Sequence, residues 1–136
     1  MADEIIDALE GKTLERRWSQ LIAAGGVVVA HAGGRAVGMT RFGADPDDAT
    51  RGHVFSLYVD PGAEGAGVGR ALLARAAEEL AARGFRSATL WVFAANERAL
   101  RFYRANGWEP TGETRVEAEW QAPELQLAAA LPQPGS

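Results

Sequence analysis

Hydrophobic and polar positions alternate along this chain with two periods, and each change of period marks an element. Ile5, Ile6 and Leu9 cluster at helical spacing, and Leu14, Trp18, Leu21 and Ile22 recur at i, i+4, i+7 and i+8, which predicts an amphipathic helix beyond Gly11. Gly25 and Gly26 end that region. A second helical pattern runs from Ala71 to Arg83, with Leu72, Leu73, Ala76, Ala77 and Leu80 inward and Arg75, Glu78 and Glu79 outward, and Gly84 fits as its terminator. A third follows Asn96, in the N-cap position before "ERALRFYRAN", and closes at Gly107.

Between these lie β-type runs. Val27–Ala30 and Ala36–Phe42 flank "HAGGR", whose glycines suit a hairpin turn. "GADPDDATRG" is polar and acidic and predicts a surface loop. His53–Asp60 and Ser87–Phe93 read as strands, Thr114–Trp120 alternates between Val116, Ala118, Trp120 and Arg115, Glu117, Glu119, and Leu125 and Leu127 mark a last strand. The expected fold is α/β or α+β: a mixed sheet carrying helices, one domain over residues 1–131 with a frayed tail at 132–136.

Composition narrows the classes. The chain has 136 residues, 47% hydrophobic and 24% charged, enough for one domain with a sizeable core. A net charge of -4 speaks against nucleic acid as a partner, because phosphate backbones select basic faces. Cysteine is absent and only two histidines are present, so neither a disulfide framework nor a metal site is expected. "MADEIIDALEGK" lacks the basic start and apolar run of a secretory signal, and no apolar run approaches the ~20 residues of a membrane span. The default expectation is a cytoplasmic protein with no membrane partner.

The chemistry is concentrated in "LYVDPGAEGAGVGRALL". A strand ends at a proline, glycines follow at Gly65, Gly67 and Gly69, and a helix begins. Glycine lets the backbone approach a ligand closely, and N–H groups converging at a helix N-terminus attract anions. The pattern therefore predicts a phosphate-bearing ligand near Glu64–Arg70; the alternative is a glycine-rich loop that merely opens a helix. A P-loop would need Lys-Ser/Thr after Gly69, where Arg70 and Ala71 stand, and the alternating glycines do not fit G-x-G-x-x-G.

"LYVDP…GAGVGRALL" resembles the acetyl-CoA signature of the GNAT N-acetyltransferases, and "LWVFAANERALRFYRANGWEPTGE" resembles the same family's second half. The resemblance is strongest over residues 54–113 and implies a GNAT-like mixed, mostly antiparallel sheet with helices on both faces. It implies that the backbone of Glu64, Gly65, Ala66, Gly67, Val68, Gly69 and Arg70 holds the pyrophosphate, and that pantetheine pairs with the strand backbone at Leu57, Tyr58 and Val59, where the family's strand is bulged and splayed. Asn96 resembles the residue that bonds the pantetheine arm, with a plain helix N-cap as its other reading. Tyr103 matches the general acid that protonates the departing thiolate, against packing in the core.

In some members of that family a strand glutamate six residues before the Val59 position acts as base; His53 stands there, with a solvated strand-start histidine as its other reading. Two features depart from the family: Glu64 replaces a usual Gln or Arg, and the N-terminus reads as shortened, leaving Val27–Ala30 an open edge. That edge, with Ile5, Ile6 and Leu9, suggests a homodimer. The implied activity is acetyl transfer from acetyl-CoA to a primary amine by direct attack in a ternary complex. The alternative is a non-catalytic acyl-CoA-binding or interaction domain. Acidic "DPDD" offers one attraction for cationic acceptors.

Overall fold

The computed structural model describes residues 3–8, 12–17, 19–20, 25–65, 67–116 and 121–133. Among the described residues nine strands, β1 (Asp3–Ala8), β2 (Lys12–Arg17), β3 (Ser19–Gln20), β4 (Gly25–Ala32), β5 (Arg35–Asp45), β6 (Asp48–Val59), β7 (Ser87–Phe93), β8 (Glu109–Val116) and β9 (Pro123–Ala130), accompany two α-helices, α1 (Val68–Ala82) and α2 (Glu97–Ala105). β1 and β2 form a separate antiparallel ribbon, and the rest form one sheet in the order β3-β4-β5-β6-β7-β9-β8. The β6–β7 pair is parallel and the other described pairs are antiparallel. Among the described residues no helix is long and apolar enough to cross a membrane.

The helix α1 crosses from β6 to β7 and seals one face of the sheet. Val68, Leu72, Leu73, Ala76 and Leu80 are buried on it, matching the apolar stripe of the sequence. Strand residues of one parity meet them: a Cβ on Gly52 would stand 3.0 Å from Leu80, and one on Gly38 2.9 Å from Leu72. The helix thus approaches β5 and β6 more closely than side chains would permit. Phe42, Val54, Leu90 and Leu127 complete that core. Gly84, at φ 97°, ends α1, and Gly107, at φ 93°, follows α2.

Four expectations are corrected. The helical spacing at Ile5, Ile6 and Leu14 belongs to a hairpin instead, in which Ile6 stands opposite Leu14. Over so few residues a cluster of apolar positions suits either period, and strand pairing decides. Leu9, Trp18, Leu21 and Ile22 lie outside the described residues. Nor is Val27–Ala30 an open edge, because Ser19 and Gln20 pair with Val29 and Val28. Finally, "GADPDDATRG" is not a loop: β5 runs to Asp45, β6 starts at Asp48, and Asp45 is buried. Its carboxylate accepts from the Asp47 N–H, which replaces the solvent that the acidic run was expected to need. The strand predicted at Thr114–Trp120 starts earlier, at Glu109; residues 117–120 lie outside the described set, and on β8 Arg115 packs inward while Val116 is exposed.

Candidate active site

The site begins with a defect in the sheet. Arg41 pairs with Ser56 and Phe42 with Val54, so Phe55 is an extra residue, a bulge that bends β6. The parallel ladder to β7 covers only Gly52–Val54 against Ala88–Leu90. Beyond it Leu57, Tyr58 and Val59 stay paired with Thr40, Met39 and Gly38 of β5. Among the described residues their edge toward β7 has no ladder partner, so it presents strand N–H and C=O groups to the space between the strands.

The chain then turns tightly through Pro61–Ala63, and Gly65 (φ 83°) and Gly67 (φ 81°) take left-handed conformations. Such angles cost an L-residue about 1–2 kcal/mol, which explains glycine at both positions. Gly67 is the N-cap of α1; no side chain caps that end and no acidic residue lies in its first turn. The first N–H groups of α1 are therefore left for a ligand, where the helix dipole adds positive potential.

A cavity of about 670 Å³ joins these parts. Leu57, Tyr58 and Val59 line it from β6; Glu64, Gly65, Gly67, Val68, Gly69 and Arg70 from the turn and α1; Asn96 and Tyr103 from α2. Ala66 lies outside the described residues. Asn96 caps α2, its Oδ1 accepting the Ala99 N–H at 3.1 Å, and also lines the cavity. Glu64 accepts a 2.8 Å hydrogen bond from the Arg98 guanidinium, an exposed ion pair that joins the turn to α2 across the cavity. Tyr103 is half-buried, its ring edge-on to Phe102, and burial pushes its phenol above the usual value. It is therefore protonated at neutral pH and can only give a proton.

His53 lies elsewhere. It does not line this cavity and is 5% exposed, in mid-strand rather than at a solvated strand start. Opposite it in the parallel ladder is Thr89, whose Oγ1 is 2.7 Å from His53 Nδ1 and donates to Asp45 Oδ2 at 2.7 Å. Arg51 Nε donates to the same oxygen at 2.7 Å. Burial pushes Asp45 up, but the hydrogen bonds from Asp47, Thr89 and Arg51 outweigh it and hold the carboxyl below its usual range. Burial also lowers His53, with Arg115 and Arg51 acting in the same direction against Asp45, so the ring is neutral at pH 7.

The family model described as "Acetyltransferase (GNAT) family" matches residues 3–108. The chain belongs to the GNAT acetyltransferase family. Mycothiol acetyltransferase of Beutenbergia cavernae is 42% identical over 76 residues, 56% of this chain and 25% of that protein. The chain thus matches about a quarter of the length of that relative. Nourseothricin acetyltransferase superposes with a TM-score of 0.72 at 22% identity, over 96% of this chain and 84% of that one. The ribosomal-protein-S18-alanine N-acetyltransferase of Escherichia coli superposes at 0.68 and 21% identity, over 85% and 75%. At these identities the structures establish a shared fold.

Sequence reasoning about this GNAT chain offered Arg98 only as one of four arginines that could offset the Glu64 charge, and it missed Phe102, Asp45 and Thr89. Phe102 lines the cavity and packs near Gly69, and its place one residue before Tyr103 was the available signal. Asp45 and Thr89 carried none: one sits in an acidic run and the other in an ordinary β-rich strand.

Proposed function

We propose that this GNAT domain transfers the acetyl group of acetyl-CoA to a primary amine of a small molecule or peptide, by direct attack in a ternary complex. One observation carries the reading: an uncapped helix N-terminus, a strand edge without a ladder partner and a protonated tyrosine line one cavity. This set suits acetyl-CoA. The N–H groups around Gly67–Arg70 suit its pyrophosphate, and the backbone of Leu57–Val59 suits the amides of its pantetheine arm. The name of the relative, mycothiol acetyltransferase, supports acetyl transfer as the reaction.

The chemistry then divides between two groups. The free amine attacks the thioester carbonyl, the C–N bond forms, and the C–S bond breaks. Tyr103 gives its proton to the leaving thiolate, and the proton that the acylated nitrogen sheds passes to solvent, from which the phenolate is reprotonated. A phenol at ~10 is a weaker acid than a thiol at ~8.5, so in water the transfer runs uphill. Burial raises Tyr103 further, so the transfer requires a site that disfavours the thiolate more strongly than the phenolate.

Calorimetry with acetyl-CoA, followed by coenzyme A release with a panel of primary amines, tests the reading. Binding with amine-dependent release is expected. Binding without release for any amine would favour the non-catalytic acyl-CoA-binding domain, and no binding would sink both. Tyr103→Phe keeps the ring and removes the proton. It is expected to lower kcat by about 100-fold with acetyl-CoA affinity unchanged, within the usual range for losing a general acid.

A further inference from the structure

The ladder between β6 and β7 ends at Val54 and Leu90, so beyond it the sheet is interrupted and both of its faces border the gap. Strand alternation gives the two faces different side chains. Gly38 faces α1, where a Cβ would meet Leu72. Met39 and Arg41, at odd spacing from it, therefore face away. Tyr58 and Ser56 stand directly opposite them on β6 and share that face. Tyr58 lines the cavity and is nonetheless 56% exposed, so it is where the cavity borders the face away from α1.

On β5 and β6 the charged side chains are partnered, with one exception. Arg35 pairs with Asp60, Asp45 with Arg51, and Asp48 accepts from the Thr50 N–H. Arg41 is exposed, and among the described residues no hydrogen bond or ion pair engages it. Its guanidinium instead lies 4.5 Å from the centre of the Phe55 ring, on the exposed bulge residue of β6. Stacking of this kind holds the plane of the fork and leaves its N–H donors unused. Across the ladder, the Ser56 hydroxyl is exposed and also has no partner among the described residues. A held guanidinium fork beside a hydroxyl suits the two oxygens of a carboxylate. The acidic run offers no equivalent pull on a cation at the gap, because Asp45 and Asp48 are engaged and lie at the opposite end of the β5–β6 ladder from Tyr58.

We infer that the acceptor is an amine that carries a carboxylate, an amino acid or a molecule ending in one, held on the face away from α1 with its carboxylate on Arg41 and Ser56 and its body against Phe55 and Tyr58. The inference rests on the acetyl-transfer reading and names the substrate class of that site. Register sets the scale. Arg41 and Tyr58 are diagonal neighbours on one face, about 7–8 Å apart. A carboxylate seated on Arg41 therefore leaves the amine of the same molecule within reach of the gap beside Tyr58, where the backbone of Leu57–Val59 suits the pantetheine arm. Arg41 selects the acceptor and takes no part in the bonds that form and break. The exposed rings of Phe55 and Tyr58 give an apolar body something to cover, which a solvated arginine alone would not.

Binding of the acetylated products isolates the carboxylate, because an N-acetylated nitrogen no longer titrates. Calorimetry on the full chain loaded with coenzyme A compares N-acetylphenylalanine with N-acetylphenylalaninamide, and N-acetyl-γ-aminobutyrate with its amide. The tighter-binding acid should exceed its own amide at least tenfold, and the margin should shrink as salt is raised. Arg41→Gln should remove most of that margin. Arg41→Lys should recover part of it, since it keeps the charge and loses the planar fork. In coenzyme A release, Arg41→Gln should lower kcat/KM for the free amino acids at least fivefold more than for their amides. Equal binding of acid and amide to the wild type overturns the inference without any variant having to fold, and so does a margin that survives Arg41→Gln. Either result in a protein that acetylates amines leaves acetyl transfer standing; a wild type that binds acetyl-CoA but acetylates no amine overturns both.

Discussion

The two faces of the central sheet are built on opposite principles. Toward α1 the surface is apolar and close-packed, and the cavity at its end is made largely of backbone: a strand edge, two left-handed glycines and the N-terminus of a helix. On the other face, buried Asp45, Thr89, His53, Glu124 and Gln126 form contacts that side chains largely define. A backbone site tolerates many side chains but depends on φ, ψ and close approach. A buried polar network tolerates neither a missing partner nor a wrong protonation state.

The largest effect expected from breaking this contrast is on the apolar face. Leu80 is fully buried against Gly52, where no side chain can move in to fill a gap. Leu80→Ala should cost about 2–5 kcal/mol, near the upper end because the site cannot collapse. Urea unfolding would read it as a lower midpoint with an unchanged slope. A cost below ~1 kcal/mol would mean that α1 is not seated on β6 as described.

The polar face should answer to pH instead. Asp45 has a folded value below that of the unfolded chain, so its contribution to stability is full above the unfolded carboxylate range, near 3.8. It is lost as pH falls through the lower folded value. Wild-type stability should therefore decline in acid more steeply than that of Asp45→Asn. The variant should start lower at pH 7, by about 1–3 kcal/mol for the carboxylate hydrogen bonds lost. Parallel acid profiles would show that the buried carboxylate does not couple to folding.

The same division explains what could be read from the sequence. The glycines at 65, 67 and 69, the Asn96 cap, the stripe of α1 and the span of β7 were all legible, because each is a local requirement written in adjacent residues. The strand ends around Asp45 were not. Pro46 and three aspartates argue for a loop, and it takes bonds from Asp47, Arg51 and the distant Thr89 together to make a buried aspartate tolerable. The N-terminal segment failed for a related reason. Its apolar spacing fitted a helix, while the pairing of β1 with β2 depends on partners that spacing does not name.

A smaller effect sharpens the backbone side of the comparison. Nothing lies within 4 Å of a Cβ on Gly67, so a side chain there meets empty space and its penalties are its own left-handed angle and its charge. Aspartate tolerates that angle better than most residues, so Gly67→Asp should remain folded. Acetyl-CoA affinity is expected to fall at least tenfold, about 1.4 kcal/mol, because a carboxylate then stands where the helix offers N–H groups. Unchanged affinity in calorimetry would move the pyrophosphate away from this turn.

The smallest effect concerns the one acidic side chain of the glycine turn. Glu64 would repel a pyrophosphate if it stood alone, but Arg98 binds it at 2.8 Å, and both line the cavity. The pair is exposed, so its strength is within about 1 kcal/mol and falls with salt. Binding an anion sets up a competition, because Arg98 can turn from Glu64 toward the phosphates and leave the carboxylate to water. Glu64→Gln removes the competitor and frees Arg98 beforehand. Acetyl-CoA should then bind a few-fold more tightly, up to about fivefold for 1 kcal/mol. The gain should shrink as salt is raised. Glu64→Gln together with Arg98→Gln should lose it, since the benefit comes from the released guanidinium. Tighter binding that persists in the double variant would instead assign the effect to direct repulsion by Glu64, with Arg98 a bystander.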